Sequence, residues 1–168
     1  MNRRIAHRAG LAVSTALVTG GLLAATAPAA LAAPAKYSQS AAARELRKAG
    51  VTWTSSGGCS NRNNTRCTSF EQINRTTVSG VIAFKRASHC AVTITGGTER
   101  GHAGGTYSHW NGYKVDVRPT PCVDRFVTKF HYIGQRHGDR ARQYKSPAGN
   151  VYAREGSHWD ITYYNGRA

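Results

Sequence analysis

The sequence predicts a small α+β domain: a mostly antiparallel sheet with flanking helices, stapled by disulfides. Three observations predict it. Segments with helical period and end signals are mixed with short segments of strict apolar and polar alternation; strong turn signals separate them; and four cysteines occur in a chain that begins with an export-like leader. At 168 residues and 18.1 kDa, one modest domain is expected. Residues 1–32 read as a signal peptide, and residues 33–168 as the single domain that follows. The leader has basic Arg3, Arg4 and Arg8, an uncharged run from Ala9 to Pro28, and the small-residue cleavage pattern Ala30-Leu31-Ala32. The run is long enough to span a membrane, but it lacks a basic stop-transfer flank, so cleavage and secretion are expected, with no membrane association afterwards. The Arg3-Arg4 pair leaves twin-arginine export open beside the general route.

The elements follow in order. Ser40 to Ala49 predicts a first helix, rich in alanine, with Arg47 and Lys48 near its end and Gly50 as its stop. Thr68 with Glu71 three residues on reads as a capping box, which predicts a second helical stretch carrying Phe70 and Ile73 inward. Val78, Val81, Ile82 and Lys85 continue a helical period that Gly80 interrupts. Ala91 to Thr95 alternates as a half-buried strand and ends in Gly96-Gly97, where a glycine-rich loop begins. After the turn signal Asn111-Gly112, Tyr113, Val115 and Val117 alternate with Lys114, Asp116 and Arg118, which places Asp116 on the polar face of a strand. Thr120 and Pro121 open a helix that carries Phe126, Val127 and Phe130. The last element is another alternator, with Trp159, Ile161 and Tyr163 on one face and His158, Asp160 and Thr162 on the other.

In an exported chain, an even cysteine count reads as a disulfide framework. Cys59 and Cys67 bracket a short polar loop that a local bridge would close, which leaves Cys90 to pair with Cys122. A metal–thiolate site is the rival reading, and the C-x-x-C spacing it normally uses is missing. The excess of 23 Lys and Arg over 8 Asp and Glu, a formal charge of +15, favours anionic partners such as wall polymers, nucleic acid or lipid. The basic residues are scattered, so a solvated surface explains them equally well.

The chemistry is concentrated where the acids are. Glu99, Asp116, Glu155 and Asp160 share three segments with His102, His109 and His158. A chain reversal at Asn111-Gly112 can bring His109 and Asp116 to one ion, and His158 can add a second imidazole from the polar face of the final strand. Two imidazoles and a carboxylate suit zinc and leave the fourth position for water. Glu155, three residues before His158, then stands where a general base is needed. His102 is a candidate for touching substrate, and Asp160 for orienting a ligand histidine or pairing with a cation. His89, His131 and His137 read as surface or loop histidines, and Trp110 and Trp159 as residues buried beside the site.

These residues resemble the D-alanyl-D-alanine carboxypeptidase and dipeptidase family of zinc peptidases, which has the hedgehog/DD-peptidase fold. Its S-x-H-x-x-G-x-A-x-D motif is similar to Ser108-His109-Trp110-Asn111-Gly112-Tyr113-Lys114-Val115-Asp116, and its later E-x-x-H to Glu155-Gly156-Ser157-His158. The resemblance covers about Cys90 to Tyr163. It implies zinc held by His109, Asp116 and His158, with Glu155 activating water. Ser108 directly precedes His109 where the family has a residue between, and Lys114 replaces a small residue. The family also places an arginine soon after the strand that enters the loop, to hold substrate carboxylate or developing charge. Counting from Ile94 puts Glu99 near that place, and a shift of one residue offers Arg100.

The leading expectation is therefore a secreted, monomeric zinc peptidase acting on peptidoglycan stems or other peptides containing D-amino acids. A basic extracellular nuclease would account for the charge more directly, but it leaves the His/Asp/Glu/His order unexplained. A non-catalytic module for wall binding or inhibition would keep the fold and use its basic and aromatic residues for adhesion. The leading reading expects no specific nucleic-acid partner.

Overall fold

The structure, a computed structural model, describes residues 33–165 and residue 167; the predicted leader, residues 1–32, lies outside the described residues. The fold class is α+β, as expected, with three helices, a two-stranded ribbon and a seven-stranded, mostly antiparallel sheet among the described residues.

Strand β1 (Lys36–Tyr37) leads into helix α1 (Gln39–Lys48). The Ser38 hydroxyl caps this helix by accepting from Ala41 N, so the cap lies two residues before the predicted start, and Ala42, Ala43 and Leu46 are buried. Strand β2 (Thr52–Trp53) follows. The predicted capping box at Thr68 is not one. The Thr68 hydroxyl donates to Thr54 O (2.8 Å) and Thr95 O (3.1 Å), and the chain runs as turns into strand β3 (Ile73–Asn74), which pairs with β1. Glu71 instead accepts from Gln39 N (2.7 Å), so its carboxylate lies at the positive end of α1, a long-range partner that local spacing cannot reveal. Phe70 and Ile73 are nonetheless fully buried.

Helix α2 (Arg75–Ser88) buries Val78, Val81 and Phe84, and Gly80 does not interrupt it. A Cβ on Gly80 would enter the Tyr163 ring, so the glycine lets the final strand's aromatic pack directly on the helix. Gly80→Ala should therefore destabilise the protein by about 1–3 kcal/mol. On helix propensity alone, the same change would stabilise by about 0.8–1.0 kcal/mol. Urea unfolding gives the sign directly, and a raised midpoint would contradict this packing.

The large sheet comprises β2, β4 (Thr93–Gly96), β5 (Lys114–Val117), β6 (His131–Gln135), β7 (Arg142–Lys145), β8 (Val151–Arg154) and β9 (Trp159–Thr162). Its order is β2-β4-β5-β9-β8-β7-β6; β2 and β4 are parallel and every other pair is antiparallel. Helix α3 (Pro121–Val127) starts at the predicted Thr120 cap, whose hydroxyl accepts from Val123 N. Val115, Val117, Trp159 and Ile161 join Phe84, Val123 and Val127 in one core. Alternation then sends Lys114, Asp116 and Asp160 to the opposite face, where the site lies.

Both predicted disulfides are present, Cys59–Cys67 and Cys90–Cys122. The second ties the segment between α2 and β4 to α3, and bridges of this kind contribute about 2–4 kcal/mol. Two disulfides fit an oxidising compartment. Among the described residues, no helix is long and apolar enough to cross a membrane.

Candidate metal centre

Strand pairing brings two carboxylates together. Asp116 on β5 and Asp160 on β9 are direct partners across the ladder, both on the face away from the core and both about 5% exposed. Like charges in that position repel, and in a buried setting they call for a cation between them. Three imidazoles and two basic side chains are arranged around them.

His109 is at the first position of the predicted turn, where its carbonyl accepts from Gly112 N (2.8 Å). Its Nδ1 donates to Gly97 O (2.7 Å), which leaves Nε2 facing the carboxylates, 3.3 Å from Asp116 Oδ1 and 3.7 Å from Asp160 Oδ1. Burial alone would lower the pKa of His109, but the two aspartates outweigh it and raise it to about 9. In the free protein, a proton on His109 thus answers part of the paired negative charge.

His158 comes from the tight β8–β9 connection, which closes with Glu155 N donating to His158 O (3.0 Å). Its Nε2 lies 3.4 Å from Asp116 Oδ1 and 3.1 Å from Glu155 Oε2. Asp116 therefore links the sequence-predicted His109 and His158, and His158 in turn meets Glu155. His102 enters the same cluster: its ring stacks on that of His109 (3.8 Å between centroids), Nδ1 is 3.6 Å from Asp116 Oδ2, and Nε2 is 3.1 Å from Glu99 Oε1. A Cβ on Gly96 would collide with Asp116 Oδ2, so glycine at the end of β4 is what lets the loop close over the aspartate.

The donor set fits a divalent metal. His102, His109 and Asp116 form a group whose ligand atoms lie within 4.8 Å of one another, and that group could hold a metal ion. Asp116 Oδ1 is buried without a well-formed hydrogen bond, although two histidine Nε2 atoms lie at 3.3 and 3.4 Å. A buried carboxylate oxygen set between two imidazole nitrogens supplies the oxygen and nitrogen ligands that zinc takes.

Asp160 provides the second carboxylate and its cations. Its Oδ2 accepts from Lys114 Nζ (2.7 Å) and Arg136 Nη1 (2.6 Å). Burial opposes its ionisation, but His109 and Lys114 hold the carboxyl well below the usual carboxylate range. Lys114, the residue that departs from the small one in the motif, is thus accounted for by its charge partner.

Glu99 and Arg100, the two alternatives for the position after β4, both lie in the loop that follows that strand. Glu99 is a buried loop staple, accepting from Ser69 N (2.7 Å) and Gly97 N (3.0 Å). Burial would raise its pKa, but the bonds from His102, Ser69 and Gly97 lower it. Arg100 does not line the cleft around Asp116. Its Nε donates to Asn63 (3.2 Å), and it borders a neighbouring pocket of about 350 Å³ beside Trp110. The basic side chains in the cleft are Lys114 and Arg136. Arg136 was not foreseen, because its only local signal is a charged, glycine-containing turn, Arg136-His137-Gly138-Asp139-Arg140. His137, read as a surface or loop residue, also lines the cleft. Trp159 is buried as expected, its indole donating to Asp124 (2.7 Å), whereas Trp110 is 40% exposed with Arg62 over its ring.

No family model, curated protein or solved structure matches this chain.

Proposed function

We propose that the protein is a secreted zinc peptidase, similar to D-alanyl-D-alanine carboxypeptidases and of the hedgehog/DD-peptidase fold, that hydrolyses peptide bonds in peptidoglycan stems. The observation that carries this reading is the buried Asp116 Oδ1 between His109 Nε2 and His158 Nε2, with the Glu155 carboxylate 3.1 Å from His158. His109, Asp116 and His158 hold the metal, and Glu155 remains outside the ligand set. The cleft of about 640 Å³ is within the range of small-ligand sites and can take a peptide end. When bound, zinc supplies a Lewis acid for the scissile carbonyl and lowers the pKa of water to about 7. Glu155 takes the proton of the attacking water and delivers it to the leaving amine, so one water is consumed and a carboxylate and an amine result. His109 is kept in its ligand tautomer by Gly97 O, and Lys114 and Arg136 hold Asp160 in place beside it by hydrogen bonds. All four cysteines are in disulfides, so none is available as a nucleophile.

The test is to incubate zinc-loaded protein with purified peptidoglycan fragments, and separately with RNA and DNA, each with and without chelator. New amino termini or released D-alanine that vanish with chelator are the expected result. Chelator-resistant cleavage of nucleic acid with intact stem peptides would replace the peptidase reading with a nuclease.

A further inference from the structure

We infer that Arg136 is the positioning residue for Glu155, holding Oε1 of the proposed base so that Oε2 is presented to the cleft. The inference rests on the peptidase reading above. Arg136 stands at the tip of the β6–β7 hairpin, its N–H bonded to Ala141 O (2.8 Å), far in sequence from either motif. Each of its guanidinium nitrogens meets a carboxylate. Nε donates to Asp139 (3.1 Å), Nη1 to Asp160 Oδ2 (2.6 Å), and Nη2 to Glu155 Oε1 and Asp139 Oδ2. A planar fork of this kind bonds two or three carboxylates in a fixed relative orientation, which an ammonium cannot do.

Glu155 needs such a partner. It sits in the β8–β9 turn, its side chain about a quarter exposed, and among the described residues its carboxylate is held by Arg136 on one oxygen and meets His158 on the other. Once His158 Nε2 serves a metal, Arg136 is the remaining anchor, and without it the three torsions of Glu155 are free to rotate. Lys114 bonds Asp160, and among the described residues no ion pair joins it to Glu155. The same guanidinium fixes Asp160, whose other oxygen faces His109 Nε2, so one side chain sets the base relative to the ligand cluster. Four of the five N–H donors of Arg136 are on protein carboxylates, and the one left, on Nη1, belongs to a nitrogen already bonded to Asp160, so the side chain is committed chiefly to protein partners.

The experiment compares zinc-loaded wild type with Arg136→Ala and Arg136→Lys on a stem-peptide substrate, with zinc content and crystal structures of each. Arg136→Ala should lower kcat by about 10²-fold while KM changes less than about threefold and zinc content is unchanged, and Arg136→Lys should recover part of the loss. The crystal structures should show Glu155 ordered against Arg136 in the wild type and displaced in Arg136→Ala. A KM raised about tenfold at unchanged kcat, an unchanged or increased kcat, or loss of zinc would each overturn the inference. An inactive wild type would instead defeat the peptidase reading, and the structures would still decide: Glu155 in the same place with and without Arg136 would defeat the positioning role.

Discussion

Glu155→Gln is expected to retain its zinc and lose hydrolysis by about 10²–10⁴-fold, the usual contribution of a general base. The substitution preserves shape and leaves an amide oxygen that can accept from Arg136, but an amide cannot take a proton from water at neutral pH. Glu155 lies 3.1 Å from His158 without being counted among the ligands, so metal content and activity should separate in this variant. The measurement is kcat on stem peptides together with zinc content of the same preparation. Full activity in Glu155→Gln would remove Glu155 from the mechanism. Loss of zinc would make it a ligand.

Zinc at about 100 times its dissociation constant should raise the unfolding free energy of the wild type by about 2.7 kcal/mol and leave His109→Ala unaffected. The reason lies in the β5–β9 ladder. Asp116 and Asp160 are register partners, and each has a buried Oδ1 with no hydrogen bond. A cation bound between the histidines and Asp116 answers that negative charge in the folded state, whereas in the unfolded chain the ligands are dispersed. Denaturant unfolding with added zinc and with chelator checks this. Equal stabilisation of wild type and His109→Ala would place the binding elsewhere.

Local signals were legible wherever the partner is near in sequence or the periodicity is strict. Thr120 and Pro121 cap α3 within the element itself, and the alternations at Val115/Val117 and Trp159/Ile161 correctly divide the core face from the site face. The cysteine pairing was readable because the Cys59–Cys67 loop is short. The Thr68–Glu71 spacing misled because both side chains serve distant backbone groups, at Thr54, Thr95 and Gln39. Strands β6 and β7 carry no clean alternation: His131, Tyr132 and Ile133 are all exposed on an edge strand, and Arg142 to Lys145 buries only Tyr144 well. Their hairpin therefore went unread, and with it Arg136, whose partners Glu155 and Asp160 are 19 and 24 residues away. The His109, Asp116, Glu155 and His158 set was visible as motif spacing. The approach of His102 to Asp116 was not, because it depends on a loop folding over Gly96.

Whether His109, Asp116 and His158 hold one zinc is decided by elemental analysis of the purified protein after zinc loading and removal of excess metal. The prediction is about one zinc per chain in the wild type and in His102→Ala, and none in the variant with all three proposed ligands changed to alanine. A zinc-free wild type, or full occupancy in the triple variant, would contradict it, and loss of zinc from His102→Ala with retention in His158→Ala would move the centre to His102, His109 and Asp116.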